Sequence, residues 1–119
     1  VRTKEHICMY GMGLLSLINT KVPLQIKEIL DRNKMTINDI DLFIFHQASK
    51  LALNSLTNML KIKKEKVFQN LRCIGNTVSA SIPIAFKEAS RKKVISRGDK
   101  VLLSGFGVGF SWGTAIIEV

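Results

Sequence analysis

The chain has 119 residues, 46% of them hydrophobic and 23% charged, a balance that fits one globular domain and excludes a low-complexity or disordered polymer. Eighteen Lys and Arg against nine Asp and Glu give a formal net charge of +9, which draws acidic partners. Six Phe, one Tyr and one Trp lie mostly in apolar runs rather than among basic residues, so no stacking platform for single-stranded nucleic acid is evident, and no apolar run approaches the ~20 residues of a membrane helix.

The chain opens on Val1, with no basic segment leading into an apolar one, and reads as part of a longer polypeptide. Its two cysteines, Cys8 and Cys73, match no metal or redox spacing and are too few for a secreted disulfide scaffold, so a soluble protein of a reducing cytoplasm is expected. Residues 5–9 predict a short strand that ends at Gly11 and Gly13, with His6 near its exposed end and Cys8 as a small buried hydrophobe. From 14 to 30, Leu14, Leu15, Ile18, Val22, Ile26, Ile29 and Leu30 recur at helical spacing, and Asp31, Arg32 and Asn33 close the pattern. Pro23 falls inside this helix and predicts a kink or a restart. Residues 35–40 then form a turn.

The run Phe43-Ile44-Phe45 lacks the alternation of a strand with one wet face and predicts a short strand covered on both sides. It delivers His46 to its carboxyl end, where ligands gather in open α/β sheets. Ala52, Leu53, Leu56, Met59 and Leu60 share one helical face, and Ser49 can cap that helix through its hydroxyl. The basic knuckle 61–66 reads as a solvated helix end, and 67–71 as extended and irregular.

Gly75-Asn76-Thr77 is a loop. The helix after it starts near Ser79 or Ser81, because Pro83 is tolerated only in a first turn. It carries Ile82, Ala85, Phe86 and Ala89 on one face and ends near Lys92, where Arg91, Lys92 and Lys93 suit the helix dipole. Its free N-terminal amides lie beside Asn76 and suit an anionic ligand. Residues 97–100 turn into a buried strand over 101–104. Gly105-Phe106-Gly107-Val108-Gly109 then reads as a turn that lets backbone approach a ligand, Trp112 as a packing anchor in the same loop, and 114–119 as a closing antiparallel strand.

His46, Asn76 and the glycine-rich stretch each stand at the end of a regular element, in a layout that can bring all three together. A neutral imidazole and an amide aimed at one point form a paired donor set for an oxyanion. The glycine order is not GxGxxG, and a strand follows it, which argues against a phosphate-cradling loop. No carboxylate pair or metal cluster competes.

Three separated stretches carry a family resemblance: His46-Gln47-Ala48, then Gly75-Asn76-Thr77 with Ser79-Ala80-Ser81-Ile82-Pro83 behind it, then the run from Gly98 to Gly113. In that order they resemble the C-terminal part of a β-ketoacyl-acyl-carrier-protein synthase III, a thiolase-fold condensing enzyme of fatty-acid synthesis and related pathways. The resemblance covers essentially all of 1–119 as one domain. It implies an α/β fold, the incomplete C-terminal half of a thiolase-like fold, with a mixed sheet flanked by helices and the N-terminal half absent.

In that family an acyl group passes from acyl-coenzyme A to a cysteine, malonyl-acyl-carrier protein loses CO2, and the enolate attacks the acyl thioester. The resemblance makes His46 and Asn76 the pair that stabilises the malonyl thioester oxygen as the enolate forms. It puts Gln47, Ser49, Phe106, Gly107 and Val108 on the substrate side, with Val108 at the glycine whose amide helps form a second oxyanion hole. The nucleophile belongs to the N-terminal half, and neither Cys8 nor Cys73 has its surroundings, so both are expected to be structural. No cofactor is implied beyond the coenzyme A or phosphopantetheine of the substrates. The implied partners are acyl-CoA, an acyl carrier protein and a second copy in a homodimer, with no nucleic acid and no membrane.

Two departures stand out. Ser49 replaces the usual Asn, and Gly107-Val108-Gly109 replaces a triple glycine, which suggests a divergent branch rather than the housekeeping starter enzyme. The alternative is a truncated, non-catalytic module that binds an acidic carrier protein through the 61–66 knuckle and residues 91–93.

Overall fold

The computed structural model describes Thr3, Lys4, His6 and residues 8–119. Its sheet is built around four consecutive buried residues, which form β1 (Leu42–Phe45). β1 runs parallel to β2 (Lys100–Gly107) in a register from Leu42 opposite Val101 to Phe45 opposite Ser104, and β3 (Ser111–Glu118) returns antiparallel to β2. The order β1-β2-β3 makes a mixed three-stranded sheet.

Alternate residues of β1 feed two different cores. Phe43 and Phe45 join Leu102 and Phe106 beneath α1 (Gly11–Arg32) and α2 (Lys50–Met59), which contribute Ile18, Val22, Ile26, Leu30, Ala52, Leu53 and Leu56. Leu42 and Ile44 face the other way and pack with Val101 against Ala85 and Ala89 of α4 (Ser81–Arg91). With helices on both faces, neither side of β1 meets water, so the run shows no polar alternation. The mixed sheet with flanking helices is the architecture expected from the sequence.

Several boundaries differ from expectation. Glu5 and Ile7 lie outside the described residues, while His6, Cys8 and Met9 belong to no strand and Cys8 is exposed rather than buried. Gly11 and Gly13 open α1 instead of preceding it. A Cβ at Gly13 would stand 2.2 Å from the Tyr10 ring, so glycine here is what lets Tyr10 fold back over the first turn. Pro23 neither ends nor divides α1, because Ile18, Val22, Ile26 and Leu30 are buried along one face on both sides of it. That packing carries the helix across one missing donor.

The knuckle 61–66 is not a solvated helix end. Ile62 is buried, and the Lys66 ammonium donates to the carbonyls of Ile40, at 2.6 Å, and Asn38, at 3.0 Å. Val67 then bridges Phe43 in parallel and the Phe68 N–H donates to Phe43 O at 3.0 Å; the irregular chain expected over 67–71 runs to Asn70, and α3 (Leu71–Ile74) takes only its last residue. Helix α4 starts at Ser81 behind a single 3₁₀ turn, Val78–Ala80, and Pro83 lies in its first turn as expected.

Gly105, Phe106 and Gly107 prolong β2 rather than turning, and Trp112 lies in β3 opposite Phe106. The ladder continues because small residues meet across it, Gly105 opposite Gly113 and Gly107 opposite Ser111. The reversal is confined to residues 108–110. Among the described residues no helix is long and apolar enough to cross a membrane.

Candidate active site

His46 is the first residue past β1, and its N–H donates to Ser104 O at 2.8 Å, so its backbone is still held by the ladder. The imidazole is half-buried, and burial alone pushes its pKa below the ordinary 6.5. Desolvation disfavours the cation, which leaves a neutral ring with one N–H to donate. The Phe106 ring stands edge-on to it, with centroids 5.6 Å apart and planes at 83°.

Asn76 lines the same cleft from a different segment. It follows Gly75, whose φ of +78° suits glycine, and precedes the turn into α4. Its Oδ1 accepts the N–H of Val78 at 2.9 Å. With that oxygen occupied by local backbone, the amide nitrogen of Asn76 is the end left to donate to a ligand. Val78 adopts φ +53°, a left-handed conformation that a β-branched residue rarely takes, so the turn holding Asn76 is strained.

His46, Asn76, Ser49, Phe106, Gly107 and Val108 all line one cleft of about 1120 Å³. Ser49 Oγ accepts the Ala52 N–H at 3.1 Å as the cap of α2, which leaves its O–H proton for a ligand. Val108 is 95% exposed with its side chain at the cleft wall.

Gln47 is the exception among the residues expected on the substrate side. It is 1% exposed and does not line the cleft; its Nε2 donates to Phe45 O at 2.9 Å, and its Oε1 accepts the Asn70 N–H at 3.2 Å.

The apolar walls went unread in the sequence. Leu14, Leu15 and Ile18 of α1, Leu51 of α2, Ile82 of α4 and Trp112 of β3 face the cleft. At helical spacing such residues look like core, and only the tertiary arrangement shows that some of them are lining. Trp112 is correspondingly part of the cleft wall, not an anchor in a loop. Cys8 and Cys73 are exposed free thiols that do not line the cleft. Among the described residues no three His, Cys, Asp or Glu side chains come together as metal ligands would. What the arrangement offers chemically is a pair of uncharged donors, one imidazole and one amide, in a mostly apolar cleft where an oxyanion gains more from each than it would in water.

The chain matches the family described as 3-oxoacyl-[acyl-carrier-protein (ACP)] synthase III C terminal over residues 30–119. It is 39% identical over 116 residues to the β-ketoacyl-[acyl-carrier-protein] synthase III of Trichodesmium erythraeum, covering 98% of this chain and 35% of that protein. The protein of the same description from Natranaerobius thermophilus is 41% identical over 119 residues, covering 99% and 36%. The crystal structure of 3-oxoacyl-[acyl-carrier-protein] synthase III from Aquifex aeolicus superposes with a TM-score of 0.92 at 35% identity, covering 96% of this chain and 37% of that one. The chain thus spans about a third of the length of the relatives it matches, and its sheet and helices are the corresponding part of a thiolase-like fold. The family match and the fold place the chain in the 3-oxoacyl-[acyl-carrier-protein] synthase III C-terminal family.

Proposed function

We propose that these 119 residues supply the decarboxylation half of a condensing acyltransferase, in which an acyl group from acyl-CoA is joined to malonyl-acyl-carrier protein with loss of CO2. The observation that carries this reading is the opening of His46 and Asn76 into one mostly apolar cleft, the first neutral through burial and the second with its oxygen already occupied by Val78 N–H. As the malonyl C–C bond breaks, its electron pair moves toward the thioester carbon and negative charge collects on the thioester oxygen. Two neutral donors aimed at that oxygen stabilise the enolate more than the ground state, which is what accelerates the step.

Ser49, Phe106, Gly107 and Val108 line the path of the pantetheine and acyl groups. The backbone amide at Val108 serves the second oxyanion, that of the acyl thioester. The cysteine nucleophile comes from polypeptide outside these residues, since neither Cys8 nor Cys73 lines the cleft. The 119 residues act as one domain of the full-length enzyme, which works as a cytoplasmic homodimer on acyl-CoA and an acyl carrier protein and holds no cofactor of its own.

The test is release of CO2 from malonyl-acyl-carrier protein by the full-length protein, with cysteine acylation followed in parallel by mass spectrometry. His46→Ala and Asn76→Ala should each slow decarboxylation by on the order of 100-fold or more, the usual scale for one oxyanion donor, with acylation less affected. Equal decarboxylation in wild type and both variants rejects the assigned roles. A wild-type protein that binds the carrier and releases no CO2 is instead a binding module.

A further inference from the structure

The edge of β1 facing away from β2 is paired in an unusual way. Phe43 O accepts the Phe68 N–H at 3.0 Å, one rung of a parallel ladder. Parallel ladders repeat every second residue, so the next rung in register joins Phe45 O to the Asn70 N–H. That rung is not made directly. The side-chain amide of Gln47 stands in it, with Nε2 donating to Phe45 O at 2.9 Å and Oε1 accepting the Asn70 N–H at 3.2 Å. A primary amide has one donor end and one acceptor end in a plane, the same polarity as a peptide unit, so it extends the ladder by one spacer without leaving a buried group unpaired.

Local backbone turns this side chain inward. The Ala48 N–H donates to His46 O at 2.8 Å, a reversal centred on Gln47, which leaves His46 and Ser49 lining the cleft and Gln47 in the interior. Beyond the inserted amide the two segments diverge. One becomes Ser49 and α2; the other becomes Asn70, α3 and the Gly75-Asn76 loop. Asn70 is itself buried, and among the described residues its Nδ2 has no partner, so within them its position depends on its backbone bonds, of which Gln47 receives one.

We propose that Gln47 is a positioning residue. Its buried amide is a wedge that sets the separation between the strand end carrying His46 and the segment carrying Asn76, and so sets the geometry of the donor pair. This rests on the decarboxylation proposed above. Without the wedge, Asn70 N–H and Phe45 O close toward each other or both lose their partners, and the Asn76 loop moves relative to His46. A misplacement of about 1 Å in such a constellation costs on the order of 100-fold in rate.

The test uses the full-length protein with Gln47→Met and Gln47→Glu. Methionine fills a similar volume and makes neither hydrogen bond; it should slow decarboxylation by about tenfold or more while cysteine acylation stays within about twofold of wild type. Glutamate is isosteric. Its protonated form keeps a donor for Phe45 O and an acceptor for Asn70 N–H, whereas its carboxylate cannot donate. Gln47→Glu should therefore decarboxylate at close to the wild-type rate at low pH and lose activity as pH rises through the raised pKa of a buried carboxyl, a limb absent from wild type. That dependence, reversible on the same sample, separates positioning from a general loss of folded protein, and it stands even if the methionine variant does not fold. If His46→Ala and Asn76→Ala abolish decarboxylation but Gln47→Glu follows the wild-type pH profile at full rate, the wedge is wrong and the donor pair stands. If none of the four variants differs from wild type, the donor pair itself is wrong and the wedge falls with it.

Discussion

The imidazole of His46 meets the ring of Phe106 edge to face, 5.6 Å between centroids, just beyond Phe45–Ser104, the last register pair of the parallel ladder between β1 and β2. Phe106 is buried, and it forms part of the wall that keeps water from one side of the imidazole.

A pH dependence follows. His46 titrates below 6.5 in the folded chain because burial disfavours the cation, while in the unfolded chain it returns to about 6.5. Between those two values the unfolded chain binds more protons. Its contribution to stability is thus complete above about 6.5 and is lost as pH falls through the window down to the folded pKa. NMR titration of the full-length protein should give His46 a midpoint under 6.5, and Phe106→Ala, which admits water, should move it up toward 6.5. A wild-type midpoint above 6.5 would show a partner for the cation in place of simple burial.

Ser49 offers a cleaner measure of local energetics. Its Oγ accepts the Ala52 N–H at 3.1 Å at the start of α2. Ser49→Ala should cost about 1 kcal/mol of unfolding free energy, and Ser49→Asn, which also caps, should recover most of it in urea titrations. Equal stability of all three proteins would mean that water satisfies that amide as well as serine does.

How far these features could be read in advance depended on whether the signal was local. The Phe43-Ile44-Phe45 run, the delivery of His46 to its end, the Ser49 cap and the Pro83 position each rest on neighbours within a few residues, and each stands where the sequence put it. Other features were settled by partners far along the chain. Gly105 and Gly107 look like a turn until Gly113 and Ser111 are seen opposite them. The family resemblance put Gln47 on the substrate side, but a tight reversal and the distant Asn70 N–H draw it into the interior. Pro23 looked like a break because nothing in a helix pattern tells how strongly its buried face is held.

Lys66 tests whether a lysine in a basic cluster can be structural. Its ammonium donates to Ile40 O at 2.6 Å and Asn38 O at 3.0 Å, tying the turn before β1 to the segment after α2. Hydrogen bonds from a charged donor are worth about 1.5–3 kcal/mol each, and this side chain is half-buried, so Lys66→Met should destabilise by about 1.5–3 kcal/mol in total. Lys63, exposed three residues earlier, should tolerate the same change within about 0.5 kcal/mol. Unfolding curves that fail to separate the two variants would return the whole knuckle to a solvated surface.

Val78 sets stability against function within a single residue. At φ +53° it occupies the left-handed region, which costs a residue with a Cβ about 1–2 kcal/mol, and its side chain is 72% exposed, so little burial offsets that cost. Its N–H nevertheless holds Asn76 Oδ1 at 2.9 Å and so leaves the amide nitrogen as the end free to donate. Val78→Gly relieves the strain and adds about 0.5–1 kcal/mol of backbone entropy cost, for a net gain in stability of up to about 1.5 kcal/mol. The same freedom lets the 76–78 turn sample other conformations, in which Asn76 is no longer aimed, and decarboxylation should fall on the order of tenfold. Thermal unfolding and CO2 release on the same preparations check both halves. A variant that gains stability at an unchanged rate would show that Asn76 is positioned without help from the strained turn, and a variant that loses stability would show that the valine side chain packs against surface supplied by the rest of the protein.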